Sequence, residues 1–227
     1  MEWLLAPLDA TRAHEITMAQ AWHGRFMMLA WGICVPLGIF IARYFKVTPR
    51  QDWPRELDNQ FWWHSHLGFQ IAATVAMVLG FAFIVADGIA AKPEVAHGWF
   101  GRAILTIVLL QLLSGLLRGS KGGPTDPRPD GSIYGDHYAM TPRRRVFEVF
   151  HKTVGYGLLL MSAGVILQGL WIVNAPRWMM IVPLAFWCAL IFLAACLSKQ
   201  KRVSTYEAIW GPKCNLPGNS ETLDRLK

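Results

Sequence analysis

The sequence predicts an all-α membrane protein with five transmembrane helices, four of which form a core bundle while the fifth lies near the C-terminus. Of its 227 residues, 53% are hydrophobic and only 16% are charged, whereas roughly a quarter of the residues are charged in an ordinary soluble domain. Five long apolar segments leave too little polar chain to cover a soluble globule. Because each segment is continuous and does not alternate, a transmembrane β-barrel is excluded.

Each apolar segment has roughly the 17–25 residues with which a helix spans a bilayer. Four segments contain no Asp, Glu, Lys or Arg, and the third in chain order contains only Arg102. In chain order, the segments run over 26–42, 67–86, 95–117, 153–176 and 178–198.

The connections between these segments are polar and carry turn residues. The loop 47–60 contains Pro49 and Pro54, and the loop 119–142 is rich in Gly, Pro and Asp, which favour turns. This second loop is either a docking surface or a solvated connector. The N-terminus has no basic region before an apolar core, so we expect no cleavable signal. The polar tail is expected on the membrane surface near Tyr206 and Trp210.

Basic residues lie mainly on one side of the predicted membrane. The N-terminus and the loops after the second and fourth helices carry five of the 22 Lys and Arg residues, and the other seventeen lie on the opposite side. The positive-inside rule places the N-terminus outside and the C-terminus in the cytoplasm. The net charge of +7 therefore reflects topology and membrane lipid, and no nucleic-acid partner is expected. The five basic residues on the side of the N-terminus are Arg12, Arg25, Lys92, Arg102 and Arg177.

These results divide the chain into four parts. We expect an extracytoplasmic N-terminal segment over 1–20, a four-helix core over 21–173, a fifth transmembrane helix over 174–198 and a cytoplasmic tail over 199–227. The four cysteines form no C-x-x-C or C-x-x-C-H pattern, so a disulfide scaffold, a zinc knuckle and covalently attached haem are not expected.

Histidines carry the predicted chemistry, because ionisable side chains inside a membrane are costly and usually functional. Four of the seven histidines open a predicted helix: His23, His66 (or its neighbour His64), His97 and His151. Since successive helices are antiparallel, His23 and His97 belong to the outer side and the other two to the cytoplasmic side. Two facing imidazoles are what axial ligation of a b-type haem requires. The sequence therefore predicts two bis-histidine haem sites, with these four residues as iron ligands.

Two further features agree with haem binding. Each histidine is expected in the first turn of its helix, where the helix dipole disfavours protonation and leaves the imidazole available as a ligand. Gly101 and Gly155 follow His97 and His151 by four residues, on the same helix face, where a flat macrocycle must approach the backbone. Small residues also permit close helix packing without a ligand, and a lone helix-end histidine is often merely interfacial.

The choice between His66 and His64 depends on which residues lie on the same helix face as each histidine. The face of His66 continues inward through a polar and several small residues, which is typical of an interior face. The face of His64 suits lipid or packing as well as a cofactor, so His64 stays open as an alternative. The two faces comprise Gln70, Ala73, Met77 and Gly80 for His66, and Gly68, Ile71, Val75 and Val78 for His64.

Four segments together resemble the cytochrome b561 family, particularly the branch fused to DOMON domains. The run 23–46 resembles the first core helix of that family, and the later segments 63–70, 97–102 with Gln111, and 151–156 resemble the next three in order. The resemblance implies two bis-histidine b haems, with the first histidine paired to the third and the second to the fourth. It also places the ligand four residues before a glutamine, and Gln70 fits His66. The short loops look bacterial, which implies an inner membrane.

Bis-histidine iron has no open coordination position, so outer-sphere electron transfer is favoured over oxygen activation. We predict a transmembrane electron-transfer cytochrome, with a quinol, an ascorbate-like reductant or a redox partner protein as donor or acceptor. With no room for a DOMON domain before the first helix, we expect an extracytoplasmic partner to be a separate protein. The alternative is an accessory or structural subunit of a larger respiratory or photosynthetic complex, and a homodimer is a further option. A proton carrier is disfavoured because Asp and Glu are absent from the helix cores.

Basic residues near the histidines are candidates for binding haem propionates. Their alternative role is anchoring at the membrane interface, with charged tips in water. The candidates are Arg25 and Arg102 beside the outer pair, and Arg43, Lys46, Arg118 and Lys152 beside the cytoplasmic pair. Three consecutive residues, Arg143, Arg144 and Arg145, are instead expected to enforce topology or to bind lipid head groups.

Overall fold

Five long helices dominate the structure, a computed structural model that describes residues 1–88, 96–118, 126–127, 133–134, 141–199 and 203–212. All five are long and apolar enough to cross a membrane, so the protein is an all-α membrane protein and the predicted fold class is confirmed. The long helices span Met18–Tyr44, Phe61–Ala86, Ala96–Leu116, Pro142–Ile172 and Arg177–Ser198.

The first long helix is divided by a π-helical stretch, and short elements flank the bundle. Its parts are α2 (Met18–Met27), a π-helix (Met28–Cys34) and α3 (Val35–Tyr44), preceded by α1 (Glu2–Leu5). The remaining helices are α4 (Phe61–Ala86), α5 (Ala96–Leu116), α6 (Pro142–Ile172), α7 (Arg177–Ser198) and α8 (Thr205–Trp210), and a two-residue antiparallel pair joins β1 (Asp126–Pro127) to β2 (Ile133–Tyr134).

The long helix α6 begins well before its apolar segment. The hydroxyl of Thr141 accepts a hydrogen bond from the backbone N–H of Arg144 (3.4 Å), and Pro142 occupies the first turn, where a missing N–H costs nothing. Glu148 then pairs with residues four before and four after it, Arg144 at 3.1 Å and Lys152 at 3.0 Å. These i,i+4 pairs support helix outside the apolar region.

Because the helices begin early, the predicted first-turn position is wrong for three histidines. His23 and His66 lie in the second turn of their helices and His151 lies in the third turn of α6, whereas His97 is the second residue of α5. The helix dipole decays within the first turn. The predicted effect of the helix dipole therefore does not apply to these three imidazoles.

The π-helix in the first long helix precedes a proline. Pro36 has no N–H to donate to the carbonyl of Gly32, and its ring crowds that carbonyl. The indole Nε1 of Trp187 on α7 donates to the Gly32 oxygen at 2.9 Å. In a membrane a freed backbone group needs such a partner from a neighbouring helix, so the fifth helix completes the hydrogen bonding of the first.

Small residues allow the first long helix and α4 to pack closely. A Cβ added at Gly38 would lie 2.8 Å from Nε2 of Gln70, and one at Gly80 would lie 3.0 Å from Cβ of Phe26. Glycines thus stand where the two helices meet. The buried core that they help to form contains Ala30, Trp31, Cys34, Val35, Ala73, Ala76, Met77, Ile104, Leu158 and Ile166.

Chain segments cover both ends of the bundle. At one end, the buried side chain of Asn174, between α6 and α7, accepts a hydrogen bond from the Asp9 N–H at 2.8 Å and donates to the Arg12 carbonyl at 2.7 Å. At the other end, the Asp58 N–H donates to the Ala208 carbonyl of α8 at 3.0 Å. Tyr206 is buried there, so its side chain packs against the protein, while the position of the tail on the membrane surface stays a prediction. The side chain of Trp210 lies outside the described residues.

Candidate functional site

The first histidine pair joins α2 to α5. The rings of His23 and His97 face each other with centroids 6.1 Å apart and planes at 77°. Both residues are half-buried. A Cβ added at Gly169 on α6 would lie 2.9 Å from Cε1 of His97, so this glycine provides the space that the His97 ring occupies. Nothing in the sequence singles out Gly169, because a glycine that accommodates a neighbouring ring looks like any other glycine.

The second pair joins α4 to α6. The rings of His66 and His151 have centroids 6.2 Å apart and planes at 78°. His66, and not the exposed His64, is therefore the residue opposite His151. The predicted interior face of α4 is confirmed, because Ala73, Met77 and Gly80 are buried while the face of His64 is exposed at Gly68, Ile71, Val75 and Val78.

Backbone carbonyls orient three of the four rings. Nδ1 of His23 donates to the Gly80 oxygen at 3.0 Å, Nδ1 of His66 to the Gly38 oxygen at 3.1 Å, and Nδ1 of His97 to the Val165 oxygen at 3.1 Å. Since a carbonyl only accepts, Nδ1 carries the proton in each ring, and in the neutral ring Nε2 then has the lone pair. This is the arrangement of a metal-ligating histidine with its supporting hydrogen bond.

The fourth ring is supported differently. Nδ1 of His151 is buried without a hydrogen-bond partner among the residues that the structure describes. Its ring stacks on Phe147, with centroids 5.2 Å apart and planes at 23°, and its backbone oxygen accepts from Nε2 of Gln111 at 3.1 Å. Stacking, rather than a carbonyl, therefore holds this ring.

The spacing of both pairs fits an iron with two axial imidazoles. A ligating nitrogen lies about 2.0 Å from a first-row metal ion and about 1.1 Å from its ring centroid, which gives about 6.2 Å between centroids. The two observed distances are 6.1 and 6.2 Å. No group of three or more His, Cys, Asp or Glu residues that could hold a metal ion occurs in the described part of the chain. Paired ligands suit haem, since its macrocycle supplies the other four nitrogens.

On three helices, a histidine of one pair is followed fourteen or fifteen residues later by the residue whose carbonyl supports the other pair. Gly80 and Val165, whose carbonyls support the first pair, lie fourteen residues after His66 and His151, and Gly38 lies fifteen residues after His23. Fourteen residues of α-helix rise about 21 Å, which separates the two levels along the bundle. The π-helix accounts for the extra residue, because a π-bulge inserts one residue into a helix without changing the register of the helix beyond it.

Four of the predicted propionate-binding residues contact protein groups. Arg25 lies over the ring of Trp22 at 4.9 Å and Arg102 over the ring of Trp99 at 5.0 Å, both near the first pair. Near the second pair, Arg43 donates to the Tyr156 hydroxyl at 2.7 Å and Lys152 pairs with Glu148 at 3.0 Å. Each of these four cations thus contacts an aromatic ring, a hydroxyl or a carboxylate of the protein.

Two arginines beside the second pair are buried. Arg118 is 7% exposed and Arg144 is 5% exposed, so the lipid-head-group role predicted for Arg144 is wrong. Burial lowers the pKa of Arg118 to about 10, with a further lowering from the positive charge of Arg144 and an opposing effect from the carboxylate of Glu148. Arg118 is therefore still charged at neutral pH. The i,i+4 spacing of Arg144 and Glu148 was the sequence signal for an ion pair at this site.

Similar proteins include several with cytochrome b561 in their names and a ferric-chelate reductase. A cytochrome b561 and DOMON domain-containing protein of Arabidopsis thaliana is 28% identical over 180 residues, which cover 77% of this chain and 36% of that protein. Human ferric-chelate reductase 1 is 23% identical over 169 residues, covering 73% of this chain and 24% of that protein. The chain thus spans about a third of the plant relative's length. No protein-family model and no solved structure matches the chain.

A second Arabidopsis thaliana protein, with cytochrome b561, DM13 and DOMON domains, is 25% identical over 148 residues, covering 65% of this chain and 14% of that protein. These relatives support the resemblance to the cytochrome b561 family that the four segments indicate. They are all eukaryotic proteins and lend no support to the predicted bacterial source.

Proposed function

We propose that the chain is a cytochrome b561-type electron carrier that binds two b haems, one between His23 and His97 and the other between His66 and His151. The observation that carries the proposal is the pair of facing ring contacts, at 6.1 and 6.2 Å. The named cytochrome b561 relatives support it independently. A haem held by each of these histidine pairs would supply one-electron transfer.

The protein's own contribution would be to orient the ligand rings. The carbonyls of Gly80, Gly38 and Val165 hold Nδ1–H of three rings, so that each Nε2 is the available ligand nitrogen. Such outer-shell hydrogen bonds set the ring orientation and raise ligand basicity. In our proposal Arg25 and Arg102 bind propionates at the first site, and Arg43 and Lys152 border the second.

Two levels about 21 Å apart would put one redox centre near each membrane surface. We assign the His66–His151 level to the cytoplasmic side, because most basic residues belong to that side. The N-terminus then lies outside and the C-terminus lies in the cytoplasm. A bacterial inner membrane is the location that the short loops indicate, and it stays a prediction.

The donor and the acceptor are proposed by class. Quinol, an ascorbate-like reductant or a redox partner protein would supply electrons, and the name of human ferric-chelate reductase 1 suggests ferric chelates as acceptors to test. The alternative function is an accessory subunit of a larger membrane complex. Rapid haem reduction by one donor favours the carrier, whereas co-purification with a complex in a fixed ratio favours the subunit.

The experiment that tests this proposal is a reduced-minus-oxidised spectrum of the purified protein, with haem and protein both quantified. We expect two b haems per chain. The His66→Ala variant should lose one haem, whereas His64→Ala, which changes an exposed residue of the same helix, should lose none. A wild-type protein without haem would refute the proposal, and the reverse result for the two variants would refute the assignment of His66.

A further inference from the structure

We propose that Arg118 and Arg144 together form a carboxylate-binding site that holds a propionate of the haem between His66 and His151. This inference rests on the proposed function, because it names protein groups that bind the haem periphery at that site. The sequence made Arg118 one of several propionate candidates and gave Arg144 a role in topology or at the lipid surface, so it is the packing of the two buried arginines beside one another that is new here.

Burial of the two guanidinium groups is the first observation. Charged side chains are almost never fully buried unless they are paired, yet Arg118 is 7% exposed and Arg144 is 5% exposed. Glu148 pairs with Arg144 at 3.1 Å and is shared with Lys152 at 3.0 Å. The carboxylate of Glu148 is thus shared between two cations, so the positive charge of Arg118, Arg144 and Lys152 exceeds the negative charge of this carboxylate.

Unpartnered nitrogens are the second observation. Nη2 of Arg118 and Nη1 of Arg144 are buried and have no hydrogen-bond partner among the described residues. An unsatisfied buried donor destabilises the folded protein, and a charged one does so more strongly. A carboxylate has two oxygens, and a guanidinium fork binds it with charge-assisted hydrogen bonds. A single carboxylate between the arginines could therefore satisfy both nitrogens.

The position of the arginines relative to the histidine rings is the third observation. The guanidinium of Arg118 lies 3.9 Å from the centroid of the Trp63 ring, and Trp63 precedes His66 by three residues, on the same face of α4. The guanidinium of Arg144 lies 5.3 Å from the centroid of the Phe147 ring, which itself stacks on His151. Arg144 is thus one aromatic ring away from His151, and Arg118 packs on a ring that shares a helix face with His66.

The other cations near this pair are less suited to a propionate. Arg43 already donates to the Tyr156 hydroxyl, and the Lys152 side chain is 66% exposed and paired with Glu148. A water-exposed pair contributes little, whereas a buried charge-assisted hydrogen bond is stronger. Arg118 and Arg144 therefore combine unpartnered guanidinium nitrogens with burial away from water, and strong carboxylate binding requires both.

The test compares Arg118→Gln and Arg144→Gln with Arg145→Gln, an exposed arginine in the same turn of α6. The readouts are the ratio of haem to protein and the two midpoint potentials from a spectroelectrochemical titration of the full-length protein. The haem at His23 and His97 serves as the internal reference. We expect each buried-arginine variant to weaken binding of the other haem about tenfold or more, or to lower its midpoint potential where it stays bound, because a nearby cation favours the reduced iron. Arg145→Gln should change neither.

Two further variants separate the effect of charge from the effect of the guanidinium shape, and the first should shift the midpoint potential in the opposite direction. Glu148→Gln removes the competing carboxylate and keeps both arginines, so we expect the same haem to stay bound and its midpoint potential to rise. Arg118→Lys keeps the charge but loses the planar fork, so it should lose affinity with a smaller shift in potential. These two variants decide the matter if the glutamine variants fail to fold.

Several results would overturn the inference. Unchanged haem content and potentials in the arginine variants would do so, and so would an equal effect on both haems. If the variants keep both haems and potentials but are reduced more slowly by ascorbate, the site belongs to a diffusible anionic donor and the propionate assignment is wrong. A wild-type protein that binds no haem would refute the proposed function itself. A wild-type protein with two haems, together with arginine variants that change neither haem content nor potential, would refute only the role of the arginines.

Discussion

Replacing His97 with alanine should remove one haem and leave the other nearly unperturbed. The two histidine levels are separated by fourteen residues of α-helix, a rise of about 21 Å. The pairs share no ring, since His23 faces His97 and His66 faces His151. Loss of the His97 imidazole leaves His23 without an opposite ligand, so haem content should fall by half.

The expected effect on the remaining haem can be calculated from that separation. Two unit charges about 21 Å apart interact by about 0.8 kcal/mol at an effective dielectric constant of about 20. With about 1.4 kcal/mol and about 59 mV per tenfold change for one electron, this corresponds to about 35 mV. The midpoint potential of the haem at His66 and His151 should therefore shift by no more than about that amount.

The measurement is a spectroelectrochemical titration of wild type, His97→Ala and His64→Ala in the same detergent. Wild type and His64→Ala should each show two one-electron transitions, and His97→Ala should show one. Loss of both haems from a correctly inserted His97→Ala protein would refute the independence of the two sites. A shift several times larger than the calculated one would show that the levels are closer or more strongly coupled than the helix spacing indicates.

Three further predictions concern the scaffold. Trp187→Phe removes the hydrogen bond to the Gly32 carbonyl and should lower the free energy of unfolding by about 1 kcal/mol, whereas the exposed Trp178→Phe should not; equal thermal stabilities in detergent would contradict this. Deleting Ile33 should convert the π-helix to α-helix and retain both haems, whereas deleting Val78 from α4 should shift its register and lose the haem of the first pair; the opposite haem contents would show that the π-helix does not absorb the extra residue. A reporter fused to the C-terminus should be cytoplasmic, because seventeen basic residues against five set the orientation; extracytoplasmic activity would reverse the sides of both haems.

Much of the candidate site can be predicted from the sequence, because hydrophobicity and residue spacing are local properties of the chain. Continuous apolar segments predict the five spans, and antiparallel succession then places His23 with His97 and His66 with His151. The structure has this arrangement of rings. The choice of His66 over His64 also follows from local pattern, since helical periodicity separates a buried face from a lipid-facing one.

Tertiary structure alone decided the rest, because the deciding contacts join residues far apart in the chain. Nothing near His97 in sequence reveals that the Val165 carbonyl orients its ring, or that Gly169 gives that ring space. Hydropathy also predicted the wrong starting residues for some helices. Ion pairs such as Arg144–Glu148 extend α6 on the N-terminal side of its apolar segment. Whether an arginine near a membrane surface contacts lipid or lies buried beside a histidine depends on which helix packs over it, and a single helix cannot encode its neighbours. The sequence by itself thus determined the class of protein and the pairing of its histidines, while packing between helices determined how each ring is held and which cations surround it.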